Sequence, residues 1–433
     1  MSREMKDSGV QWIGDIPKEW EIIKLGRLGK FSSSGIDKKI EENQPKVRII
    51  NYTDVYGNKK LILEEKDYMV VTCPEYKIHD HKVNVGDLIF TPSSETIEDI
   101  GVSALVNEYL DNTAFSYHVL RYKFNTEVVH NYKKYLCNNQ YVQNYFSSRA
   151  TGSIRKTLNR EDFNSCIVFL PTIDEQQQIA NYLDKKVSQI DDIISKQKSL
   201  IQKYKAYKQS LITETVTKGL NKNVPMKDSG IEWIGEIPSH WNLVKLKFIF
   251  TIKKEIANKL GYNILSVTQS GLKIKDISNN EGQISADYSK YQLVDIDDFV
   301  MNHMDLLTGF VDCSKFKGVT SPDYRVFKFI NKSENSKRYY NYIFQSCYKN
   351  KIFYGLGQGV SNLGRWRLQT DKFMNFILPM CSLQEQKEIA DFLDKKCNAI
   401  DSAISKKEQL ILKLEDYKKS LIYECVTGKR EVN

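Results

Sequence analysis

Two long stretches of the chain carry apolar residues at alternating intervals of four and three positions. The stretches run from Asp174 to Lys218 and from Gln384 to Gly428. This spacing places one apolar stripe along a helix and is typical of a coiled-coil seam. The predicted seam residues are Leu183, Val187, Ile190, Ile194 and Ile201, and Leu393, Ile400, Ile404, Ile411 and Leu414. Neither half of the chain could cover so long a stripe alone, so we expect the two helices to pack on each other.

Both stretches also carry sequence signals for the start and for the end of a helix. Each begins with a capping box, Thr172 with Glu175 and Ser382 with Glu385, and each is closed by a glycine, Gly219 or Gly428. Lysine interrupts both seams at matched places, Lys208 and Lys418. These lysines either set the register of the two helices or extend their ammonium groups to solvent; the pattern leaves both alternatives open.

The two helical stretches belong to an internal repeat. They are identical at 24 of 45 aligned positions, and a second pair of segments, Met5–Leu28 and Met226–Ile249, is identical at 13 of 24. The second pair contains four of the five tryptophans, which flank an Ile-Pro turn and are predicted to pack structurally. The segments between the repeats differ almost completely. A duplicated frame that holds two divergent inserts suggests recognition of two different things with one geometry.

Each insert mixes short β-like runs with helical patches, which predicts an α+β domain with a twisted sheet. The predicted strands are Val47–Ile50, Leu88–Phe90, Val119–Phe124, Asn263–Val267, Phe299–Met301 and Arg325–Ile330, and the predicted helical patches are Asn131–Phe146 and Ser336–Lys351.

The order SGVQWIGDIPKEW, variable region, EQQQIANYLDKK, SGIEWIGEIPSHW, variable region, EQKEIADFLDKK covers the whole chain. It resembles the specificity subunit of type I restriction–modification systems. The resemblance implies two α+β target recognition domains, related by a pseudo-twofold axis and joined by two long antiparallel coiled-coil helices. The implied segments are 1–173 and 219–383 for the recognition domains, 174–218 and 384–428 for the spacer helices, and 429–433 for a tail.

The resemblance also implies partners. Each recognition domain would read one half of a bipartite site in double-stranded DNA, two methyltransferase subunits would dock on the coiled coil, and restriction and motor subunits would complete the complex. S-adenosylmethionine, ATP and Mg would be bound only by those partner subunits, with no cofactor in this chain.

Composition is consistent with a non-catalytic DNA-binding protein. The formal net charge of +9 favours an anionic partner, although only mildly. The chain has no Pro-Pro step for the methyltransferase signature and no phosphate-loop sequence for a motor. Cys73, His79 and His81 lack a regularly spaced fourth metal ligand. No apolar run is long enough for a membrane span, and the eight single cysteines suit a reducing cytoplasm. The resemblance implies that this cytoplasm is prokaryotic.

Two kinds of loop are candidates for DNA contact. One is a polar loop that follows a strand and is closed by Gly101 or Gly309, and the other is a glycine- and arginine-rich loop before the last short helix of each insert. The candidate DNA-binding residues are Ser93, Ser94, Arg149, Ser153, Arg155, Lys156, Arg160, Asn302, His303, Gln358, Asn362, Arg365 and Arg367. The alternative for these loops is an ordinary solvated basic surface.

Two other functions remain open at this point. One is the specificity subunit of a two-component type II methyltransferase or nuclease, which has the same architecture. The other is a coiled-coil adaptor with two protein-binding domains. DNA recognition predicts an affinity that falls steeply with salt, whereas the adaptor predicts no such affinity.

Overall fold

The computed structural model describes residues 3–11, 13–276, 288–358 and 367–432. The chain divides into two compact units. The first unit comprises Met1–Gln197 and Gln409–Asn433, and the second unit comprises Lys198–Glu408. Each unit therefore contains the beginning of one long helix and the end of the other.

The first unit is built around a mixed sheet. Its strands are β1 Met5–Asp7, β2 Asp15–Pro17, β3 Glu21–Lys24, β4 Gly29–Ser32, β5 Lys46–Ile50, β6 Ile62–Leu63, β7 Met69–Thr72, β8 Leu88–Phe90, β9 Ser93–Ser94, β10 Ser103–Val106, β11 Thr113–Phe115, β12 Leu120–Phe124, β13 Lys156–Thr157 and β14 Ile167–Leu170. The helices that begin in this unit are α1 Leu25–Leu28, α2 Tyr52–Val55, α3 Glu75–His81, α4 Tyr132–Cys137, α5 Gln140–Arg149, α6 Arg160–Asn164 and α7 Ile173–Lys218.

The main sheet of the first unit has the order β4-β12-β8-β10-β6, antiparallel except for the parallel pair β10 and β6. A second sheet has the order β11-β5-β7. Aromatic rings fill the space between the main sheet and the helices. The Phe90 ring contacts those of Phe31, Tyr122 and Phe163, with ring centroids 5.4, 6.1 and 5.6 Å apart. These rings anchor the strand that precedes the first polar loop.

The second unit repeats this plan with different peripheral strands. Its strands are β15 Met226–Asp228, β16 Glu236–Pro238, β17 Asn242–Lys245, β18 Phe250–Lys253, β19 Leu265–Thr268, β20 Gly271–Ile274, β21 Gln292–Val294, β22 Phe299–Met301, β23 Val311–Cys313, β24 Gly318–Thr320, β25 Arg325–Phe329 and β26 Ile377–Met380. Its helices are α8 Lys337–Lys349, α9 Ile352–Gly355, α10 Thr370–Met374 and α11 Leu383–Val426, with 3-10 turns at Leu246–Phe248 and Lys332–Glu334. The main sheet has the order β18-β25-β22-β23, which matches β4-β12-β8-β10.

The predicted fold class is confirmed, and the six predicted strands are present. One helical patch differs from the prediction. Asn131–Phe146 is divided into α4 and α5 because Asn139 starts a new helix, with its side-chain oxygen accepting a hydrogen bond from Val142 N at 3.1 Å. The second patch ends near its predicted boundary, where Lys351 has a φ of +57° that a continuing helix cannot adopt.

The tryptophans attach each N-terminal segment to the start of a long helix. Trp20 Nε1 donates to Glu175 at 2.8 Å, and Trp241 Nε1 donates to Glu385 at 3.2 Å. In the second unit the glutamate also completes its capping box with Ser382. In the first unit its carboxylate instead receives two hydrogen bonds from the Arg3 guanidinium, at 2.6 and 2.8 Å. The repeated tryptophan is therefore a packing and capping element.

The long helices run antiparallel in each unit. In the second unit Lys208 Nζ lies 2.6 Å from Asp401, and Lys407 Nζ lies 5.9 Å from the Tyr204 ring centroid. Moving forward along α7 thus means moving backward along α11. In the first unit Lys418 Nζ lies 2.6 Å from Asp191.

The predicted seam residues lie on the inner side of these helices. Buried seam residues are Leu183, Ile190, Ile194, Ile201, Leu393, Ile400, Ile404 and Ile411, and half-buried ones are Val187 and Leu414. Burial of one stripe on each helix is what a coiled-coil seam requires. Within the described ranges, no helix is long and apolar enough to cross a membrane.

Candidate nucleic-acid interface

The two candidate loops of the first unit meet in a small antiparallel ribbon. β9 pairs with β13, with Lys156 opposite Ser94. Leu158 N donates to Pro92 O at 2.9 Å and extends the pairing by one residue. Residues that are about 60 positions apart in sequence therefore form one surface.

Arg155 is held in place at the edge of this ribbon. Its Nε donates to Ser93 Oγ at 3.0 Å, and its guanidinium carbon lies 5.2 Å from the Tyr52 ring centroid. The Tyr52 ring in turn stacks on Tyr56, with ring centroids 5.0 Å apart. Burial raises the pKa of Tyr52, so its hydroxyl is neutral at neutral pH. Arg155 is thus exposed but already oriented, which lowers the entropy lost on binding.

A tight hairpin carries the basic loop. Thr151 and Thr157 exchange backbone hydrogen bonds of 3.1 and 2.8 Å. Gly152 has a φ of +108°, and a Cβ there would lie 2.2 Å from Arg155 O, so the turn requires glycine. Ser153 is exposed at the tip, and Lys156 Nζ donates back to Gly152 O at 2.7 Å.

The remaining candidates of the first unit are placed differently from one another. Arg149 is exposed, with its guanidinium 5.6 Å from the Tyr145 ring centroid. Arg160 is exposed, and its Nη2 donates to Ser33 Oγ at 3.3 Å. Ser94, in contrast, is fully buried, and its hydroxyl accepts from Thr96 N at 3.3 Å. The three arginines are therefore exposed, whereas Ser94 holds the structure of the polar loop.

The equivalent loops of the second unit also meet. Leu368 N donates to His303 O at 2.9 Å. This hydrogen bond is the equivalent of the one from Leu158 N to Pro92 O in the first unit. Asn302 holds the polar loop: its Oδ1 accepts from Met304 N at 3.2 Å, and its carbonyl accepts from the Tyr348 hydroxyl. His303 is buried, and burial together with nearby guanidinium groups lowers its pKa to about 3. Neither side chain is freely exposed.

The arginine-rich loop of the second unit is described only at its two ends. Gln358 and Arg367 exchange backbone hydrogen bonds of 3.1 Å, and Gln369 Nε2 donates to Gln358 Oε1 at 2.6 Å. Arg367 is exposed. Asn362 and Arg365 lie outside the described residues. The described ends thus close the loop at a fixed point beside the core.

Sequence reasoning missed Arg325. Its guanidinium is buried beside the end of this loop, where Nη2 donates to Leu368 O at 2.9 Å. A signal was present in the strand pattern, because alternation places Arg325 on the same face as Phe327 and Phe329, and both rings are buried. An arginine at an inward strand position demands a partner or a function.

The long helices present a second kind of surface. In the second unit Leu200 and Tyr207 are exposed on α7, seven residues apart. In the first unit Leu410 and Tyr417, the repeat equivalents of those residues, are exposed on α11. Seven residues are two helical turns, so each pair lies on one helix face. Apolar residues at matched places in both units are more than scattered surface exposure.

The comparisons with known proteins point to one family. The family model for the type I restriction modification DNA specificity domain matches residues 17–203 and 238–413. The type I restriction enzyme MjaVIII specificity subunit of Methanocaldococcus jannaschii is 24% identical over 439 residues, which cover 96% of this chain and 94% of the relative. The putative type I restriction enzyme MjaX specificity subunit of the same organism is 25% identical over 431 residues, covering 97% and 96%.

Solved structures show the same fold. A chain from a study of complex assembly and conformational transition of the type I R-M system aligns with a TM-score of 0.71 at 11% identity, covering 96% of this chain and 99% of that one. The HsdS subunit from Thermoanaerobacter tengcongensis aligns with a TM-score of 0.53 at 12% identity, covering 96% and 98%.

Proposed function

The chain belongs to the type I restriction modification DNA specificity domain family, and we propose that each of its two recognition regions reads one half of a bipartite DNA site. The observation that carries the proposal is the equivalent meeting of loops in each unit. Leu158 bonds to Pro92 in the first unit, and Leu368 bonds to His303 in the second. The same frame therefore presents different side chains. Residues 1–173 and 219–383 are the proposed recognition domains.

In the first domain the exposed cations divide into two proposed roles. Arg155 is oriented by Ser93 and Tyr52, which suits bidentate recognition of a base edge or of a phosphate. Arg149 and Arg160 lie outside the ribbon and suit contacts to the DNA backbone, which position a protein without reading sequence. Ser153 and Lys156 complete this surface.

Catalysis is assigned to partner subunits in this proposal. Two methyltransferase subunits would dock on the long helices, one on the exposed pair Leu200 and Tyr207 and the other on Leu410 and Tyr417. Two equivalent surfaces fit two copies of one partner. Restriction and motor subunits would join through that complex, and S-adenosylmethionine, ATP and Mg would be bound there.

The experiment that tests the function is expression of the chain with a methyltransferase subunit of the same type I system in a host that lacks DNA methylation. Methylation-aware sequencing should find one bipartite motif with an unread spacer. The purified complex should bind that site with an affinity that falls linearly on a log–log plot against salt. Absence of a methylated motif together with salt-independent binding would favour the adaptor instead. The same host supplies the control when it expresses the methyltransferase without this chain.

The docking surfaces are tested separately. Tyr207→Glu and Tyr417→Glu place a charge on each exposed apolar pair, and each should remove one methyltransferase subunit from the complex. The mass measured by light scattering should fall by one subunit for each variant and by two for the double variant. Gln202→Glu, which adds a negative charge at an exposed polar position on another face of α7, is the matched control.

A further inference from the structure

Arg325 carries a buried positive charge, and its guanidinium carbon lies 4.8 Å from the Phe373 ring centroid. Arg325 is the first residue of β25, and it is 4% exposed. Nη2 donates to Leu368 O at 2.9 Å and to Thr370 Oγ1 at 3.3 Å, while the buried Nη1 has no hydrogen-bond partner among the described residues. Across the described ranges no carboxylate pairs with this guanidinium. A buried, unpaired charge is unfavourable, so its presence requires an explanation.

A cavity of about 550 Å³ adjoins this guanidinium. Its lining residues are Arg325, Arg367, Gln369, Thr370, Asp371 and Met374. The two guanidinium groups outweigh the one carboxylate, so the lining is net positive. Arg367 is exposed at the cavity, and its backbone is fixed by paired hydrogen bonds to Gln358. Burial lowers the pKa of Arg325 to about 10, which still leaves it charged at neutral pH.

The first unit shows that the frame does not need this arginine. β12 occupies the position of β25 in the matching sheet, and it begins with Leu120 where β25 begins with Arg325. When Leu158 is aligned with Leu368, Thr157 takes the place of Arg367. Both arginines are therefore absent from the unit that folds on the same plan. Their presence belongs to what the second domain recognises.

We propose that this cavity binds a phosphate group of the DNA backbone in the half-site read by the second domain. Arg325 and Arg367 donate to its oxygens, and Thr370 offers a hydroxyl. Guanidinium groups are suited to this ligand because their N–H groups match two phosphate oxygens at once. The inference rests on the proposed function and adds to it a backbone anchor that the first domain lacks.

The test is a scan in which single phosphates of the second half-site are replaced by uncharged methylphosphonates. The duplex carries the motif found by methylation-aware sequencing, and the assembled complex is used throughout. For the unaltered protein, replacement at one phosphate should weaken binding about tenfold, as expected for a lost charge-assisted hydrogen bond. Arg325→Met and Arg367→Gln should each weaken binding to the unmodified duplex and lose the extra effect of that one replacement. Lys332→Gln, an exposed lysine away from the cavity, should retain it.

Three results would overturn the inference. If the arginine variants keep the full effect at every phosphate, the cavity does not contact the backbone. If they lose discrimination at one base pair instead, the arginines read a base. If inorganic phosphate raises the unfolding temperature of the protein but not of Arg325→Met, and the scan is flat, the ligand is free phosphate. Failure of the proposed function looks different, because the unaltered complex would then show no salt-dependent DNA binding.

Stability separates a binding role from a structural one. Methionine removes the unpaired charge and keeps much of the volume, so the unfolding temperature of Arg325→Met should be unchanged or higher. A lower unfolding temperature for Arg325→Met would mean that the hydrogen bonds from Arg325 to Leu368 and Thr370 stabilise the fold. In that case Arg367→Gln, at an exposed position, decides the phosphate contact alone.

Discussion

Lys418 Nζ lies 2.6 Å from Asp191 across the two long helices, and the repeat equivalents Lys208 and Asp401 make the same ion pair in the other unit. The lysines are the residues that interrupt the apolar seams. They therefore do not simply extend to solvent. Each meets a carboxylate that only one antiparallel register places opposite it, so the interruption encodes register.

The first prediction concerns this pair. Lys418→Asp or Asp191→Lys alone places like charges together and should each lower the free energy of unfolding by about 0.5–1 kcal/mol, a small value because the pair is partly exposed. The double variant restores an opposite-charge pair and should recover most of that loss. Urea unfolding of the four proteins measures the coupling. Strictly additive losses would show that the pair does not specify register.

The second prediction concerns the seam itself. Ile194→Asp buries an unpaired charge at a site that is 6% exposed, and should lower the free energy of unfolding by about 3–5 kcal/mol. Ile193→Asp is the matched control. Ile193 directly precedes Ile194 on the same helix but is 42% exposed, so this variant should lower the free energy of unfolding by less than about 1 kcal/mol. Equal losses for the two variants would mean that the seam has been misplaced by one residue.

The frame was predictable because its signals are local and repeated. The 4-3 spacing, the terminal glycines and the capping residues all depend on neighbours along one helix, and the structure has α7 and α11 where that pattern occurs. The partners of Lys208 and Lys418 were not predictable in the same way. Asp401 and Asp191 are polar helix residues like many others, and only the antiparallel register makes them opposite.

The candidate DNA-contact loops were less predictable than the long helices, because their arrangement depends on long-range pairing. The sequence indicated two loop classes, but their meeting depends on β9 pairing with β13 across about 60 residues. Burial within a loop was equally hidden, since Ser93 and Ser94 are adjacent and alike while only Ser94 is fully buried. Arg325 was missed because its partners Leu368 and Thr370 follow it by 43 and 45 positions, so only the folded chain brings them together. Side-chain environment arises from long-range packing, which no local pattern specifies.

The third prediction concerns acid stability. The pKa of His303 is about 3 in the folded protein, well below the ordinary value of 6.5, because burial and two guanidinium groups disfavour the imidazolium. The unfolded chain binds the proton first as pH falls. The stabilising contribution of neutral His303 is therefore complete above pH 6.5 and is lost between pH 6.5 and about 3, by up to about 1.4 kcal/mol per pH unit.

His303→Gln should flatten this part of the pH dependence. At pH 5 the variant should recover up to about 2 kcal/mol of the difference that the unaltered protein shows between pH 7 and pH 5. His79→Gln, at an exposed site, should leave the curve unchanged. Urea unfolding followed at several pH values provides the measurement. Parallel curves for the unaltered protein and His303→Gln would show that the histidine is accessible to protons in the folded state.

The last prediction concerns the independence of the two recognition regions. Replacing about residues 29–173 with the matching segment of another specificity subunit should change one half of the methylated motif and leave the other half unchanged. The reason is that the frame makes an equivalent hydrogen bond in each unit, from Trp20 to Glu175 and from Trp241 to Glu385. The side chains of the loops that meet differ between the two units. Within the first region, Arg155→Ala gives the finer test. A lost phosphate contact should lower the magnitude of the log–log salt slope by about one for all sequences. A lost guanine contact should instead relax one base position at a cost of about 1–3 kcal/mol.

Arg155→Lys separates these outcomes further, because lysine keeps the charge but not the planar pair of donors. If Arg155 contacts a phosphate, Arg155→Lys should keep both the salt slope and the motif. If Arg155 reads a guanine, the lysine variant should relax one base position. Methylation-aware sequencing of hosts that express the chimera and the two variants gives the three motifs, and binding of the purified complexes at several salt concentrations gives the slopes. Altered bases in both halves of the motif for the chimera would mean that the regions do not read independently. An unchanged motif and salt slope for Arg155→Ala would remove the ribbon formed by β9 and β13 from the DNA interface.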